Sequence, residues 1–204
     1  MEPSEKILSG AQELFFKYGI KSITMDDIAK HLSMSKKTIY QYFKEKDEII
    51  NTLMSEKIKS DEEEFSGVHT NASNAIEEAF AVMKCLADSI GRINPVLFYE
   101  LQKFYPEAWK KFTQFKENYV RKMVEDSLKR GQEQGYVRKD VSISILSRLR
   151  MEEIELGFNS HVFPNDKFNI LDVQLAMTEH FLYGICTLKG HKLVNKYKQI
   201  QEDE

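Results

Sequence analysis

Long apolar runs are missing from this sequence. The longest clean one, Ala79-Phe80-Ala81-Val82-Met83, falls far short of the ~18 residues a membrane-spanning helix needs. Cysteine is scarce. Cys85 and Cys186 stand about a hundred residues apart, which excludes a disulfide framework and the CxxC spacing of metal and redox sites. A reducing, cytoplasmic setting fits that usage. The opening MEPSEKILSG carries charges of both signs and no apolar stretch, so no secretory signal is expected. Catalytic signatures are missing too: there is no HExxH, GxSxG or GxGxxG. None of His31, His69, His161, His180 and His191 has Glu three residues before it, so the Glu-x-x-His pattern of di-iron bundles is absent. No catalytic residue, cofactor or metal ligand is expected. The acidic cluster Glu152-Glu153-Glu155 reads as a solvated helix face, its side chains pointing several ways.

What is present describes a helical protein. Hydrophobic residues make up 42% and charged residues 30% of 204, with only four prolines, a balance that suits long helices with wet outer faces. The net charge of −3 announces no nucleic-acid binder. Local charge is more telling. Residues 1–47 hold eight lysines against seven acids, and four of those lysines fall between 36 and 46.

Apolar residues recur at three- and four-residue spacing almost throughout. Ile7, Leu8, Ala11, Leu14, Phe15 and Tyr18 form one stripe, with Ser4 as its expected N-cap and Gly19 as its C-terminal stop. Thr24, three residues before Asp27, opens a short helix to about residue 32. Ser35 caps another, about 35–42, and Lys46 begins a longer one that ends in the charge run 59–64. FSGVHTNASN, 65–74, reads as an internal boundary. Longer helices are expected over about 72–90, from Asn94-Pro95 to 104, and over 107–134, 140–158 and 167–188, with a polar, frayed tail after Gly190. No strand is expected.

Two helices, a tight turn and a lysine-rich third helix make a helix-turn-helix pattern. On a wheel of 100° per residue starting at Lys36, Tyr40 lies at about 40°, Lys37 at about 100° and Gln41 at about 140°. Ile39, at about 300°, falls off that arc and can pack with Ile28, Leu32 and Phe43. The outward arc thus gathers cations, an amide and a phenol. Lysine can donate to guanine acceptors or phosphates, glutamine can pair with adenine, and a tyrosine ring can touch a thymine methyl.

At these residues the chain resembles the DNA-binding domain of the TetR family of bacterial transcriptional regulators. The matching string is ILSGAQELFFKYGIKSITMDDIAKHLSMSKKTIYQYFKEKDEII, 7–50. It holds the Phe15-x-x-x-Gly19 pair, Thr24 before Ile28-Ala29, Ser35, Thr38, Tyr40, Tyr42, Phe43 and Lys46 at family-like spacing. The resemblance implies an all-α fold: an N-terminal three-helix helix-turn-helix domain, 1–47, and a larger C-terminal helical ligand-binding and dimerisation domain, 48–204 (about nine helices). It also implies DNA-facing roles for Thr24, Lys36, Lys37, Thr38, Tyr40, Gln41, Tyr42 and Lys46. Thr24 and Lys46 would meet phosphates. Lys36, Lys37 and Gln41 would face bases, and the tyrosines would lie on sugar-phosphate or thymine methyls. Ser33 stands where the family usually has glycine, Lys37 where it often has a small residue, and Gln41 where it often has histidine.

Beyond residue 48 the aromatic set including Phe98, Tyr99, Trp109 and Phe112 is core first and candidate pocket lining second. Arg148 and Glu152 read as a surface pair. Leu171, Leu175, Leu182 and Ile185 form an apolar stripe with Gly184 beside it. The expected use of the last two long helices is a four-helix bundle with a second copy across a two-fold axis; the alternative is packing within one subunit. These readings describe a homodimeric repressor of a near-palindromic operator, released by a small-molecule effector. The alternatives are control of the same fold by a protein partner, or an enzyme or helical interaction protein with a vestigial DNA domain.

Overall fold

The computed structural model describes residues 2–89, the backbone of residue 90, residue 94 and residues 96–200. Pro95, expected at the start of a helix, lies outside them. The described chain is all-α. In order it forms α1 (Pro3–Tyr18), α2 (Met25–His31), α3 (Lys36–Tyr42), α4 (Lys46–Asn71), α5 (Ala75–Ile90), α6 (Val96–Phe104), α7 (Pro106–Phe115), a π-helical turn (Lys116–Val120), α8 (Arg121–Glu133), α9 (Ile143–Gly157), α10 (Ile170–Ile185) and α11 (Leu188–Lys198). Strand-like pairing among the described residues is one antiparallel bridge, Val137 to Cys186.

The chain divides into two compact units: Met1–Asp61 with Arg92–Gln114, and Glu62–Gly91 with Phe115–Glu204. In the first, Ile7, Ala11, Phe15, Ile28, Ile39, Phe43, Ile49 and Leu101 close one apolar core. Ile7, Ile28, Ile39 and Ile49 are wholly buried, each contributing roughly 1.5–3 kcal/mol by burial. Gly10 lets α1 meet α2 closely: a methyl there would lie 2.6 Å from a Leu32 methyl. In the second unit, Ile76, Leu128, Val137, Phe181, Leu182, Ile185, Cys186 and Val194 form the core. Buried charges in that unit are paired, as burial demands. Glu78 meets Arg130 and His69, Lys116 meets Glu155 at 2.5 Å, and Arg150 meets Glu153 and the Thr178 hydroxyl.

Several boundaries differ from the sequence reading. Helix α1 starts at Pro3 with Glu2 at the N-cap, not Ser4; proline's preset φ suits the first helical position. Helix α4 does not stop at the charge run but continues through 65–71, and the break narrows to 72–74. Phe65 is buried there against Phe115 and anchors the extra turns. The expected helix 107–134 is interrupted by the π-helical turn at 116–120, which carries the buried Lys116. The tail after Gly190 is helical in α11, capped by Thr187 and fixed by the fully buried Val194.

Candidate nucleic-acid interface

Helices α2 and α3 are seven residues each, too short to persist alone in water. Caps and packing hold them. The Thr24 hydroxyl accepts from Asp27 N–H at 3.2 Å and donates to the Asp27 carboxylate at 2.6 Å, which also accepts from Thr24 N–H at 2.9 Å. This box holds the Asp27 carboxyl below the usual carboxylate range, the Thr24 side-chain hydrogen bond being the main cause. Helix α2 ends where Met34 N–H reaches back to Ala29 C=O at 2.9 Å, with Ser33 at φ 52°. Ser35 then caps α3, its hydroxyl accepting from Thr38 N–H at 3.0 Å and sharing a 2.8 Å hydrogen bond with the Thr38 hydroxyl.

Helix α3 sorts its side chains as its wheel requires. Ile39 and the following Phe43 are buried, while Lys36, Lys37, Tyr40, Gln41 and Tyr42 face solvent and Thr38 is half-buried. The two tyrosines are 49% and 44% exposed, a large aromatic surface for so short a helix. Lys36 is ion-paired with Asp26 of α2. Lys37 makes no ion pair among the described residues, so its charge is fully presented.

Lys46, assigned to a phosphate by the resemblance, is half-buried. Its ammonium donates to Ile20 C=O and Ile23 C=O, both at 2.9 Å, and lies 5.8 Å from the Tyr105 ring centre. Burial lowers its pKa, opposed by the nearby Asp47 and Glu100 carboxylates. Two of its three donors are therefore committed to the turn between α1 and α2. The Thr24 proton is committed to Asp27. Nothing in the residue pattern marked Glu100, whose carboxylate grips the same turn from α6 by accepting from Ile20 and Lys21 N–H.

The pocket candidates all fall in the first unit. Phe98 and Tyr99 lie on α6, Trp109 and Phe112 on α7, and all four are half-buried. Trp109 and Phe112 rings sit 5.1 Å apart, and Trp109 packs on the unit's apolar core. The dimer candidates divide. Leu182 and Ile185 belong to the core of their own unit, Leu171 and Leu175 are half-buried, and Gly184 is exposed with open space where a side chain would stand. Arg148 and Glu152 are exposed on α9. The sequence reading missed Ile145, Leu149 and Leu156, which are 66%, 47% and 40% exposed on α9. Their spacing of four and then seven was the available signal.

Two short helices that follow α1, the second exposing lysine, glutamine and tyrosine, define a helix-turn-helix DNA-binding protein of all-α construction. Comparison with known proteins narrows the class. Residues 7–53 match the family profile described as bacterial regulatory proteins, tetR family. Two curated relatives come from Bacillus subtilis (strain 168). The HTH-type transcriptional regulator YhgD is 32% identical over 61% of this chain and 69% of its own length. The HTH-type transcriptional regulator YvaF is 28% identical over 52% of this chain, the match spanning only 55% of that relative. Two solved structures share the fold. A TetR-family transcriptional regulator from Agrobacterium tumefaciens has a TM-score of 0.71 at 17% identity, covering 91% of this chain and 98% of its own. A transcriptional regulator from Saccharomonospora viridis, in complex with choline, has a TM-score of 0.72 at 16% identity, covering 90% and 97%. The chain belongs to the TetR family of DNA-binding transcriptional regulators.

Proposed function

We propose that the protein is a repressor that binds a near-palindromic operator as a homodimer and leaves it when a small molecule binds. The observation that carries the DNA-reading part is the exposed face of α3. It offers Lys37, Tyr40 and Gln41 outward while Ile39 and Phe43 anchor the helix from behind. Lys37 and Gln41 supply base readout, with Lys36 partly neutralised by Asp26. Tyr40 and Tyr42 lie on sugar-phosphate or thymine methyls. Thr38, beside the cap, and the N-terminal turn of α2 at Thr24 sit against the backbone. Lys46 offers a phosphate only its remaining donor. In a dimer the two α3 helices enter successive major grooves about 34–36 Å apart.

Selection from random-sequence duplex DNA tests this reading. The native protein is expected to enrich a site with two inverted half-sites. Lys37→Ala is expected to relax the preference at one position of each half, since a base contact is worth roughly 1–3 kcal/mol. An unchanged preference would remove Lys37 from base readout.

An effector acts only through different affinity for DNA-competent and incompetent arrangements. The choline complex of the Saccharomonospora viridis neighbour supports a small molecule over a protein partner. Phe98, Tyr99, Trp109 and Phe112 remain the proposed lining. A ligand there bears on α6 and α7, within the unit that carries the helix-turn-helix. Screening small molecules for release of the selected duplex tests the effector, and release by none of them would favour control by a protein partner.

A further inference from the structure

The turn between α1 and α2 is held from two sides by helices remote in sequence. Ile20 is buried, and neither its N–H nor that of Lys21 has a helical acceptor. One oxygen of Glu100, on α6, accepts both, at 2.5 and 2.9 Å. On the opposite edge the Lys46 ammonium, on α4, takes the carbonyls of Ile20 and Ile23 at 2.9 Å. The residue after Ile23 is Thr24, the cap from which α2 begins. The start of α2 is therefore set by α4 and α6 as well as by the end of α1.

Neighbouring contacts repeat the pattern. Asn94, just before α6, donates its N–H to Phe16 C=O at 2.9 Å and its amide to Lys17 C=O at 3.3 Å. The Lys21 ammonium lies 4.4 Å from the Phe104 ring centre. Gly19 takes φ 81°, and a methyl there would come within 3.0 Å of both the Glu100 carboxylate and a Val96 methyl. Glycine at this point serves the backbone angle and the close approach of α6 together.

We propose that Glu100 is a positioning residue for operator binding: its carboxylate fixes the α1–α2 turn, and through it the placement of α2 and α3 on DNA. The inference rests on the reading of α3 as the DNA-reading helix. Backbone amides that lose a buried acceptor either stay unsatisfied or move, and movement here displaces the Thr24 cap.

The test compares the native protein with Glu100→Ala, Glu100→Gln and Glu100→Asp. Each is titrated with the duplex selected by the native protein and with a random duplex, by fluorescence anisotropy at several salt concentrations. Circular dichroism confirms that each variant is folded. Glu100→Ala is expected to lose about tenfold or more in affinity for the selected duplex. Its binding to random duplex should change by less than about twofold, because that binding is mostly electrostatic. Glu100→Gln keeps an oxygen at the same reach and should return to within about threefold of native affinity. Glu100→Asp keeps the charge but withdraws the oxygen, and should behave like alanine. If alanine does not fold, the Gln and Asp pair decides. A folded Glu100→Ala with an unchanged ratio of selected to random affinity overturns the proposal, as does a Gln variant as weak as Asp. A native protein that selects no site overturns the reading of α3 and this proposal together; one that selects a site while Glu100→Ala is unchanged overturns this proposal alone.

Discussion

At Ser33 the backbone takes φ 52°, a left-handed conformation that costs a residue with a Cβ about 1–2 kcal/mol. The turn needs that angle, because Met34 N–H must reach Ala29 C=O to close α2 before Ser35 caps α3. Glycine would meet the angle without the steric cost but would give back part of the gain as unfolded-chain entropy. Ser33→Gly is therefore expected to stabilise the protein by about 0.5–1 kcal/mol. Calorimetry should record a melting temperature higher by roughly 2 °C for a chain of this length. An unchanged or lower value would mean that the turn carries no such penalty. The position stood out in the sequence as a serine where the family usually has glycine, but its left-handed angle is a finding of the structure. Glu100 was not legible: a lone glutamate on an amphipathic helix looks like any solvated acid, and its partners lie about eighty residues earlier. Lys46 was legible as a cation at a helix start, but the carbonyls that claim its ammonium belong to a turn that only the tertiary fold brings there.

Helix α2 shows how much a short element owes to its cap. Thr24→Ala removes the hydroxyl at the centre of the box and should cost about 1 kcal/mol. The same box makes the helix sensitive to acid. Asp27 is held below its ordinary pKa by hydrogen bonds from Thr24 that exist only in the folded state. Its contribution is fully present above the ordinary carboxylate value and is lost as pH falls through the depressed one. Carbon-13 NMR of the Asp27 carboxyl should therefore find a midpoint below the usual Asp range in the native protein. In Thr24→Ala the midpoint should return toward that range. Equal midpoints in the two proteins would mean that the box does not bind the carboxylate. Helices with local signals, such as those capped by Thr24 and Ser35, can be read from a few adjacent residues. The continuation of α4 through 65–71 cannot. Its polar string and Gly67 look like a boundary until Phe65 is seen packed on Phe115. The π-helical turn at 116–120 is likewise silent in the apolar spacing, since one extra residue per turn shifts a stripe without breaking it.

At the scale of the whole molecule the outer face of α9 and α10 bears on assembly. These helices pack on each other within the second unit, where Gln174 donates to Ile154 C=O at 2.9 Å. On α9 the outer face carries Ile145, Leu149 and Leu156; on α10 it carries Ala176, His180 and Gly184 at intervals of four. The large apolar residues of one helix and the small Ala176 and Gly184 of the other suit close packing against a second copy. The proposed bundle therefore rests on this face, while Leu182, only 4% exposed, serves the subunit core. A two-fold axis doubles any change made on the face, because each copy presents the same surface. Leu149→Glu should place two carboxylates in the interface and yield a folded monomer by light scattering and sedimentation. Its melting transition should remain cooperative, as an exposed substitution costs the subunit itself only about 0.5 kcal/mol. Operator affinity should fall sharply, because one half-site must then be held alone. Leu182→Glu should instead unfold the second unit, since it buries an unpaired charge in a packed core. If Leu149→Glu remained a dimer at the native protein's concentration, the two-fold interface would have to lie on another face.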